Sequence, residues 1–214
     1  MSVRVVIPEL LDHLPADDPE ALRSRRDLRR INFLMGNERW VCRTMRRFSS
    51  EAKRRIVEIG AGDGMLCNQL ARMFPHAQLA AYDLAPRPAN LDPRIIWHRG
   101  DLFKTTPPEG GGVLVANLFL HHFEGEALKA LGRWMENFDA LVFNEPDRSR
   151  TPHLLGKLMH PWINHVTRHD MHVSIDAGFA AGELGKLLDL DPGQWRIRET
   201  STWRGARRVV ACRV

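Results

Sequence analysis

The chain has 214 residues, of which 43% are hydrophobic, and its formal net charge at pH 7 is +5. This length suits a single domain with its own hydrophobic core. No apolar run approaches the roughly 18 residues of a membrane-spanning helix, and the start MSVRVVIPEL lacks the basic flank and long apolar stretch of a signal peptide. We therefore expect a cytoplasmic protein that does not bind membranes.

Helical patterns occupy the first quarter of the chain. Asp18-Pro19 is typical of a helix start. Apolar side chains then recur at helical spacing, namely Leu28, Ile31 and Met35. Gly36-Asn37 should end this helix, and a second helix should run from Glu38 to Ser49-Ser50. We predict that residues 1–54 form a helical extension that caps a substrate pocket.

From residue 55 onward, short apolar runs alternate with helical patterns, which predicts a parallel sheet covered by helices. The predicted strands are Arg55–Ile59, Gln78–Tyr82, Ile95–His98, Val113–Ala116 and Ala140–Phe143. Helices are predicted around Leu66, Leu70 and Met73 and over Glu126–Asn137. Three prolines between residues 84 and 94 leave little room for a helix after the second strand.

The last part of the chain departs from this alternation. Residues 148–172 contain a predicted helix, Leu154–Met159, and five histidines, and we interpret them as a lid inserted above the sheet. A helix over Ala181–Leu188 follows. Two further strands, Trp195–Thr200 and Arg208–Arg213, have so short a link that they must be antiparallel. The sequence therefore predicts one α/β domain over residues 55–214.

A glycine-rich loop follows the first predicted strand. In VEIGAGDG, Gly60, Gly62 and Gly64 stand between a strand and a helix, where glycines allow a sharp turn and a close approach to a ligand. The dinucleotide pattern GxGxxG requires glycine or alanine after Gly64, where Met65 stands. The loop therefore predicts a cofactor site but disfavours a nicotinamide-dependent oxidoreductase.

Two acidic residues follow the next two strands. Asp83 ends the second strand, where a carboxylate can accept hydrogen bonds from ribose hydroxyls. Asp101 follows the third strand, where it can accept from the exocyclic amine of adenine while Leu102 packs on the ring. Because ligands gather at the carboxyl edge of parallel sheets, both residues are candidates for one site.

These segments together resemble the class I S-adenosylmethionine-dependent methyltransferase family. VEIGAGDG is similar to its first motif, AAYDLA to its second, RGDLF to its adenine motif and VLVANLFLHHF to its substrate-facing fourth motif. The resemblance covers residues 55–214. It implies an α/β fold, namely a Rossmann-like doubly wound seven-stranded sheet with a C-terminal antiparallel hairpin, which here follows an N-terminal helical extension.

The resemblance also implies the cofactor, S-adenosyl-L-methionine, with S-adenosyl-L-homocysteine as product. Glu58 and the backbone of Gly60 and Gly62 would hold the methionine end, Asp83 the ribose, and Asp101 with Leu102 the adenine. Ala61, Leu84 and Asn117 complete the expected cofactor site. We expect no metal ion, because the three cysteines form no CxxC pair and the ten histidines include no HExxH motif.

Candidate catalytic residues follow the fourth and fifth strands. Methyl transfer needs an aligned acceptor, exclusion of water and, for a hydroxyl acceptor, a base. His121 or His122 can serve as that base, or can pack or cap a helix instead. Glu145 ends the fifth strand and either orients the substrate or braces the loop.

The sequence favours methylation of a small aromatic, quinone-like or polyketide-like acceptor, at oxygen first and carbon second, by in-line transfer. A nucleic-acid methyltransferase is an alternative, since residues 23–55 carry twelve Lys or Arg and three Asp or Glu. The Asn/Asp-Pro-Pro-aromatic signature of amino-methylating nucleic-acid enzymes is missing at Ala116–Phe119, so we do not expect a nucleic-acid partner. A non-catalytic cofactor-binding module stays open, and a homodimer is compatible with these features.

Overall fold

A computed structural model of the chain describes residues 3–15 and 17–214. Its centre is a seven-stranded sheet with the order β3-β2-β1-β4-β5-β7-β6. The strands are β1 (Arg55–Ile59), β2 (Gln78–Asp83), β3 (Ile95–Arg99), β4 (Val113–Asn117), β5 (Ala140–Pro146), β6 (Trp195–Ser201) and β7 (Ala206–Arg213). Neighbours among β1 to β5 are parallel, whereas β7 is antiparallel to both β5 and β6. The predicted Rossmann-like α/β sheet with a terminal hairpin is confirmed.

Helices precede the sheet, cover its faces and fill the insertion. They are α1 (Leu10–His13), α2 (Pro19–Met35), α3 (Asn37–Met45), α4 (Ser49–Arg54), α5 (Met65–Met73), α6 (Gly125–Met135), α7 (Arg150–Met159), α8 (His165–Ala177) and α9 (Leu184–Leu187). Within residues 3–15 and 17–214, none of them is long and apolar enough to cross a membrane.

Both faces of the sheet are buried, which explains its apolar strands. In β1, Val57 and Ile59 pack into the core on one face and Ile56 packs into the core on the other, because side chains alternate along a strand. Leu128 of α6 covers the first face, and Leu70 of α5 covers the second. The carboxyl edge of the parallel strands is left to form the site.

Several helix boundaries differ from the sequence prediction. Ser49-Ser50 begins α4 instead of ending the second helix, which closes with a 3-10 turn at Arg46–Phe48. The predicted helix Ala181–Leu188 is reduced to Leu184–Leu187, because Gly182 has a φ of +69° that no right-handed helix accommodates. The insertion is more helical than predicted, since α7 starts at Arg150 and α8 carries three of the five histidines.

Candidate active site

The glycine loop has a backbone conformation that requires its glycines. Gly60, Gly62 and Gly64 have φ values of +66°, +54° and +72°, a region that other residues seldom adopt. A Cβ on Gly60 would lie 2.1 Å from Cδ2 of Phe119, whereas a Cβ on Gly62 would meet no atom within 4 Å. Gly60 therefore makes room for the protein itself, and Gly62 faces open space.

Asp83 connects the end of β2 to this loop. Its Oδ2 accepts a hydrogen bond from the Gly62 N–H at 2.8 Å, and its Oδ1 accepts one from the Ala85 N–H at 2.8 Å. Each carboxylate oxygen can accept a further hydrogen bond. Asp83 thus shapes the loop and still offers acceptors at the sheet edge, beside the exposed side chain of Leu84.

Asp101 and Leu102 are occupied by the protein's own structure. Oδ1 of Asp101 accepts from the Phe103 N–H at 3.0 Å and caps the 3-10 turn Leu102–Lys104. Leu102 is only 7% exposed and packs in the core, which leaves little of its surface for an adenine ring. The adenine end of the predicted site is therefore less defined than the ribose end.

Glu58 is a buried acid at the inner end of the site. It lies on β1, is 3% exposed, and its Oε2 accepts a hydrogen bond from Sγ of Cys67 at 2.6 Å. Burial raises the pKa of Glu58 to about 8. A cation placed beside this carboxyl group would favour its ionised form.

Glu145 braces the loop that follows β4. It is fully buried and accepts hydrogen bonds from the backbone N–H groups of Phe119, Leu120 and His121 at 3.0, 2.9 and 3.3 Å. Its Oε2 also lies 2.9 Å from Nδ1 of His121. Glu145 therefore positions His121 and the loop. Asn117 is fixed in a similar way, since its Oδ1 accepts from Nδ2 of Asn144 at 2.9 Å.

The pKa values of the two adjacent histidines are shifted in opposite directions. His121 is 3% exposed, and its Nε2 lies 3.8 Å from Oε1 of Glu9. Burial alone would lower the pKa of His121, but the hydrogen bond with Glu145 and the nearby carboxylate of Glu9 outweigh burial and raise the pKa to about 9. Desolvation and the charge of His121 lower the pKa of His122 below its ordinary value. At neutral pH His121 therefore carries a proton and His122 is neutral.

One cavity of about 570 Å³ is lined by some of these groups. The described residues that line it do not include Asp83, Leu84, Asp101, Leu102 or Glu145. Around the glycine loop it is lined by Glu58, Gly60, Ala61, Gly62 and Asp63, and after β4 it is lined by Asn117, Leu118, His121 and His122. Its far end is largely apolar and is lined by Leu28, Ile31 and Met35 of α2, Leu155 and Met159 of α7, and Met171 and Ile175 of α8. The N-terminal extension and the insertion thus both contribute walls of the same cavity.

The histidines of the insertion are not among the described residues that line this cavity. Three of them form a chain of contacts between α7 and α8 instead. His172 lies 2.9 Å from His153 and 3.1 Å from His160 between ring nitrogens, and His153 contacts Asp176 at 3.1 Å. The side chains of residues 148–172 that line the cavity are those of Pro152, Leu155, Met159 and Met171.

Glu9 is a site residue that the sequence did not indicate. It precedes α1, which is held by Asp170 of α8 through the N–H groups of Leu10 and Leu11 at 2.7 and 3.0 Å. Glu9, His121 and His122 each place one potential ligand atom within 4.8 Å of the others.

Comparison with known proteins identifies the family. Residues 21–140 match the O-methyltransferase domain family. The chain belongs to this family of class I S-adenosylmethionine-dependent methyltransferases. It is 27% identical to the acetylserotonin O-methyltransferase of Rattus norvegicus over 133 residues, which are 56% of this chain and 31% of that protein. The chain thus spans about a third of the length of this curated relative.

Solved structures of methyltransferases share the fold. The plantazolicin methyltransferase BpumL in complex with S-adenosylhomocysteine and a monoazolic desmethylplantazolicin analogue has a TM-score of 0.68 at 11% identity, over 92% of this chain and 91% of that chain. The pyocyanin biosynthetic protein PhzM has a TM-score of 0.66 at 20% identity, over 97% and 62%. Human N-acetylserotonin methyltransferase in complex with S-adenosylmethionine has a TM-score of 0.54 at 15% identity, over 94% and 61%.

Proposed function

We propose that the chain transfers a methyl group from S-adenosylmethionine to an oxygen atom of a small apolar acceptor. The observation that carries this proposal is the continuity of one cavity, with the glycine loop at one end and the apolar walls of α2, α7 and α8 at the other. Direct transfer needs cofactor and acceptor in one space that excludes water. The name of the rat relative, acetylserotonin O-methyltransferase, supports oxygen as the acceptor atom.

The residues present suit the cofactor. When bound, S-adenosylmethionine supplies an electrophilic methyl group on its sulfonium. Glu58 faces the cavity and suits the ammonium of the methionine end, and the N–H groups of the glycine loop suit its carboxylate. Asp83 suits the ribose hydroxyls. Ala61 and Asn117 also line the cavity.

His122 is the base that we assign to the acceptor's proton. It lines the cavity and is neutral at pH 7, so it can accept a proton from a hydroxyl group. His121 is held as a cation between Glu145 and Glu9, where its charge favours the ionised form of a nearby acceptor oxygen. The apolar far end suits an aromatic, quinone-like or polyketide-like body.

Binding of the cofactor is the first test. Calorimetric titration with S-adenosylmethionine, S-adenosylhomocysteine and NAD should show saturable binding of the two adenosyl ligands only. Asp83→Asn keeps the size of the side chain and should weaken the binding of both adenosyl ligands about tenfold, because charge-assisted hydrogen bonds are worth about 1.5 to 3 kcal/mol. Absence of adenosyl-ligand binding by the unaltered protein would refute the proposal.

Acceptors are tested next, with the loaded protein and a panel of phenols, quinols and carboxylic acids. Methylated product from this panel supports the proposal. If a transfer RNA or a DNA duplex were methylated and the whole panel were not, the small-molecule assignment would be wrong.

The pH profile tests the base. At saturating S-adenosylmethionine, we expect kcat/KM for the acceptor to be level near pH 7 to 8, to fall at acid pH as His122 gains a proton, and to fall again as His121 loses its proton near pH 9. His122→Gln should lower kcat about a hundredfold or more and remove the acid limb. A rate that climbs steadily to pH 9 would identify His121 as the base instead.

A further inference from the structure

The acceptor end of the cavity has a charge pattern that its apolar walls do not explain. Arg25 and Arg29 of α2 and Arg204 of the β6–β7 turn all line it. The acids of the cavity wall lie mainly elsewhere: Glu58 and Asp63 belong to the cofactor end, and Glu38 contacts Gln69 of α5 beside them.

The helical spacing of α2 aims these arginines at the cavity. Arg25, Arg29 and Asn32 are one and two turns apart on one side of the helix, and all three line the cavity with Leu28 between them. Arg26, the next residue after Arg25, is exposed and is not among the described lining residues. The arginines that line the cavity therefore lie on one face of α2, so their position is not explained by the basic composition of the helix alone.

Arg29 and Arg204 are available to a ligand. Within residues 3–15 and 17–214, neither forms a salt bridge to a carboxylate. One nitrogen of Arg204, Nη1, donates to the Leu34 carbonyl at 2.7 Å, which fixes the side chain next to the C-terminal end of α2. Its guanidinium carbon lies 4.9 Å from the ring centroid of Trp203, a stacked arrangement that leaves the in-plane N–H donors of Nε and Nη2 able to face an anionic group.

Glu9 also lines the cavity, and the charge of His121 opposes its own. It pairs with His121 at 3.8 Å and accepts a hydrogen bond from Ser174. The net charge that an acceptor meets at the far end is therefore positive. Guanidinium groups bind carboxylates and other planar oxyanions through paired N–H donors.

We propose that Arg29 and Arg204 form an anion-binding subsite, and that the acceptor is an apolar ring system bearing a carboxylate or similar oxyanion away from the hydroxyl that is methylated. This inference rests on the proposed function. The apolar walls hold the ring, the histidines face the reacting hydroxyl, and the arginines bind the distal anion. Recognition at two ends would align the acceptor oxygen with the methyl group.

The test uses the whole chain saturated with S-adenosylhomocysteine and three probes of equal ring size: 6-hydroxy-2-naphthoate, its methyl ester and 2-naphthol. We expect the carboxylate to bind about tenfold more tightly than the ester or the naphthol. Added salt should reduce this preference, because both charges lie near solvent.

Variants locate the subsite. The double variant Arg29→Gln/Arg204→Gln should lose the preference for the carboxylate while its affinity for S-adenosylhomocysteine stays unchanged. Arg26→Gln, which removes the same charge from the same helix outside the cavity wall, should retain it. Circular dichroism of each variant establishes that the fold is intact.

Each outcome separates the two proposals. Failure of the unaltered chain to bind S-adenosylhomocysteine overturns the proposed function. If that ligand binds, three results overturn only the anion subsite. They are equal affinities for carboxylate and ester, no binding of the carboxylate at millimolar concentration, and equal losses of affinity in the Arg26 and double variants. An oligonucleotide that binds through Arg29 and Arg204 where the carboxylate does not would also overturn it.

Discussion

Glu58 and Cys67 form a buried pair beside the glycine loop. The carboxyl group is 3% exposed, and the thiol of Cys67 is its hydrogen-bond partner at 2.6 Å. Burial raises the pKa of Glu58 to about 8, so the free protein holds a proton there at neutral pH. A cationic ligand at this position must displace that proton, because only the ionised carboxylate gains from the charge.

Cofactor affinity should therefore depend on pH through Glu58. We expect the affinity for S-adenosylhomocysteine to rise as pH increases from 6.5 to about 8 and then to level off. Glu58→Gln should bind more weakly at pH 8 and lose most of this slope. Calorimetry in two buffers of different ionisation enthalpy measures the released proton directly. A slope that survives unchanged in Glu58→Gln would show that another group releases the proton.

The glycine loop is the element in which conformation and ligand access can be separated. Gly60 and Gly62 both have positive φ, but only Gly60 is crowded, by the ring of Phe119. Gly125, at the start of α6, offers a matched reference, since its φ of +53° is close to the +54° of Gly62, it has open space around it, and it does not line the cavity.

Alanine at the three positions should give three different results. Gly60→Ala should lower the free energy of unfolding by roughly 3 kcal/mol or more, because strain and overlap add. Gly62→Ala and Gly125→Ala should each cost about 1 to 2 kcal/mol. Of these last two variants, only Gly62→Ala should also weaken the binding of S-adenosylhomocysteine, by about tenfold or more. Urea unfolding and calorimetry measure both quantities. Equal affinities in Gly62→Ala and Gly125→Ala would exclude close cofactor approach at Gly62.

Elements with strong local patterns could be predicted from the sequence, and elements set by distant contacts could not. All seven strands were predicted. The five parallel strands give short apolar runs, and the last two are signalled by β-like runs on either side of a turn with Gly205. The start of α4 and the shortening of α9 depend on turn geometry at Phe48 and Gly182. The position of Glu9 depends on Asp170, 161 residues further along the chain, whose carboxylate holds α1. No local pattern signals such a contact.

The candidate site divides in the same way. Glu58, Gly62, His121 and His122 could be assigned to one cavity because they lie at the carboxyl ends of β1 and β4, which are neighbours in the parallel part of the sheet. Their different protonation could not be predicted, since it arises from burial and from partners at Glu145 and Glu9. Leu102 follows β3, where an adenine contact was predicted, but its side chain packs into the core.

At the scale of the whole molecule, the cavity is assembled from three parts of the chain. Residues of α2 form one wall, the ends of β1 and β4 form the floor, and α7 with α8 form the opposite wall. Glu9 joins these parts, because it contacts His121 after β4 and Ser174 on α8. Protonation of the buried groups in this assembly is therefore coupled to folding as well as to the reaction.

Stability should fall as pH rises from about 6.5 to 9. The folded state raises the pKa of His121 from 6.5 to about 9 and that of Glu58 from 4.5 to about 8. In both cases the folded chain binds the proton more tightly than the unfolded chain. The contribution of His121 is fully present below pH 6.5 and is lost as pH rises through 9; that of Glu58 is lost between 4.5 and 8.

Calorimetric melting of the ligand-free protein at pH 6, 7, 8 and 9 measures this loss, which we expect to reach a few kcal/mol. Glu58→Gln cannot lose a proton and should flatten the curve between pH 6 and 8, and His121→Gln should flatten it between pH 7 and 9. Saturating S-adenosylhomocysteine should reduce the loss below pH 8 if it binds the ionised form of Glu58. A melting temperature that is constant or rises over this range would mean that neither group carries the raised pKa, and the assignment of His121 as a resident cation would then fail with it.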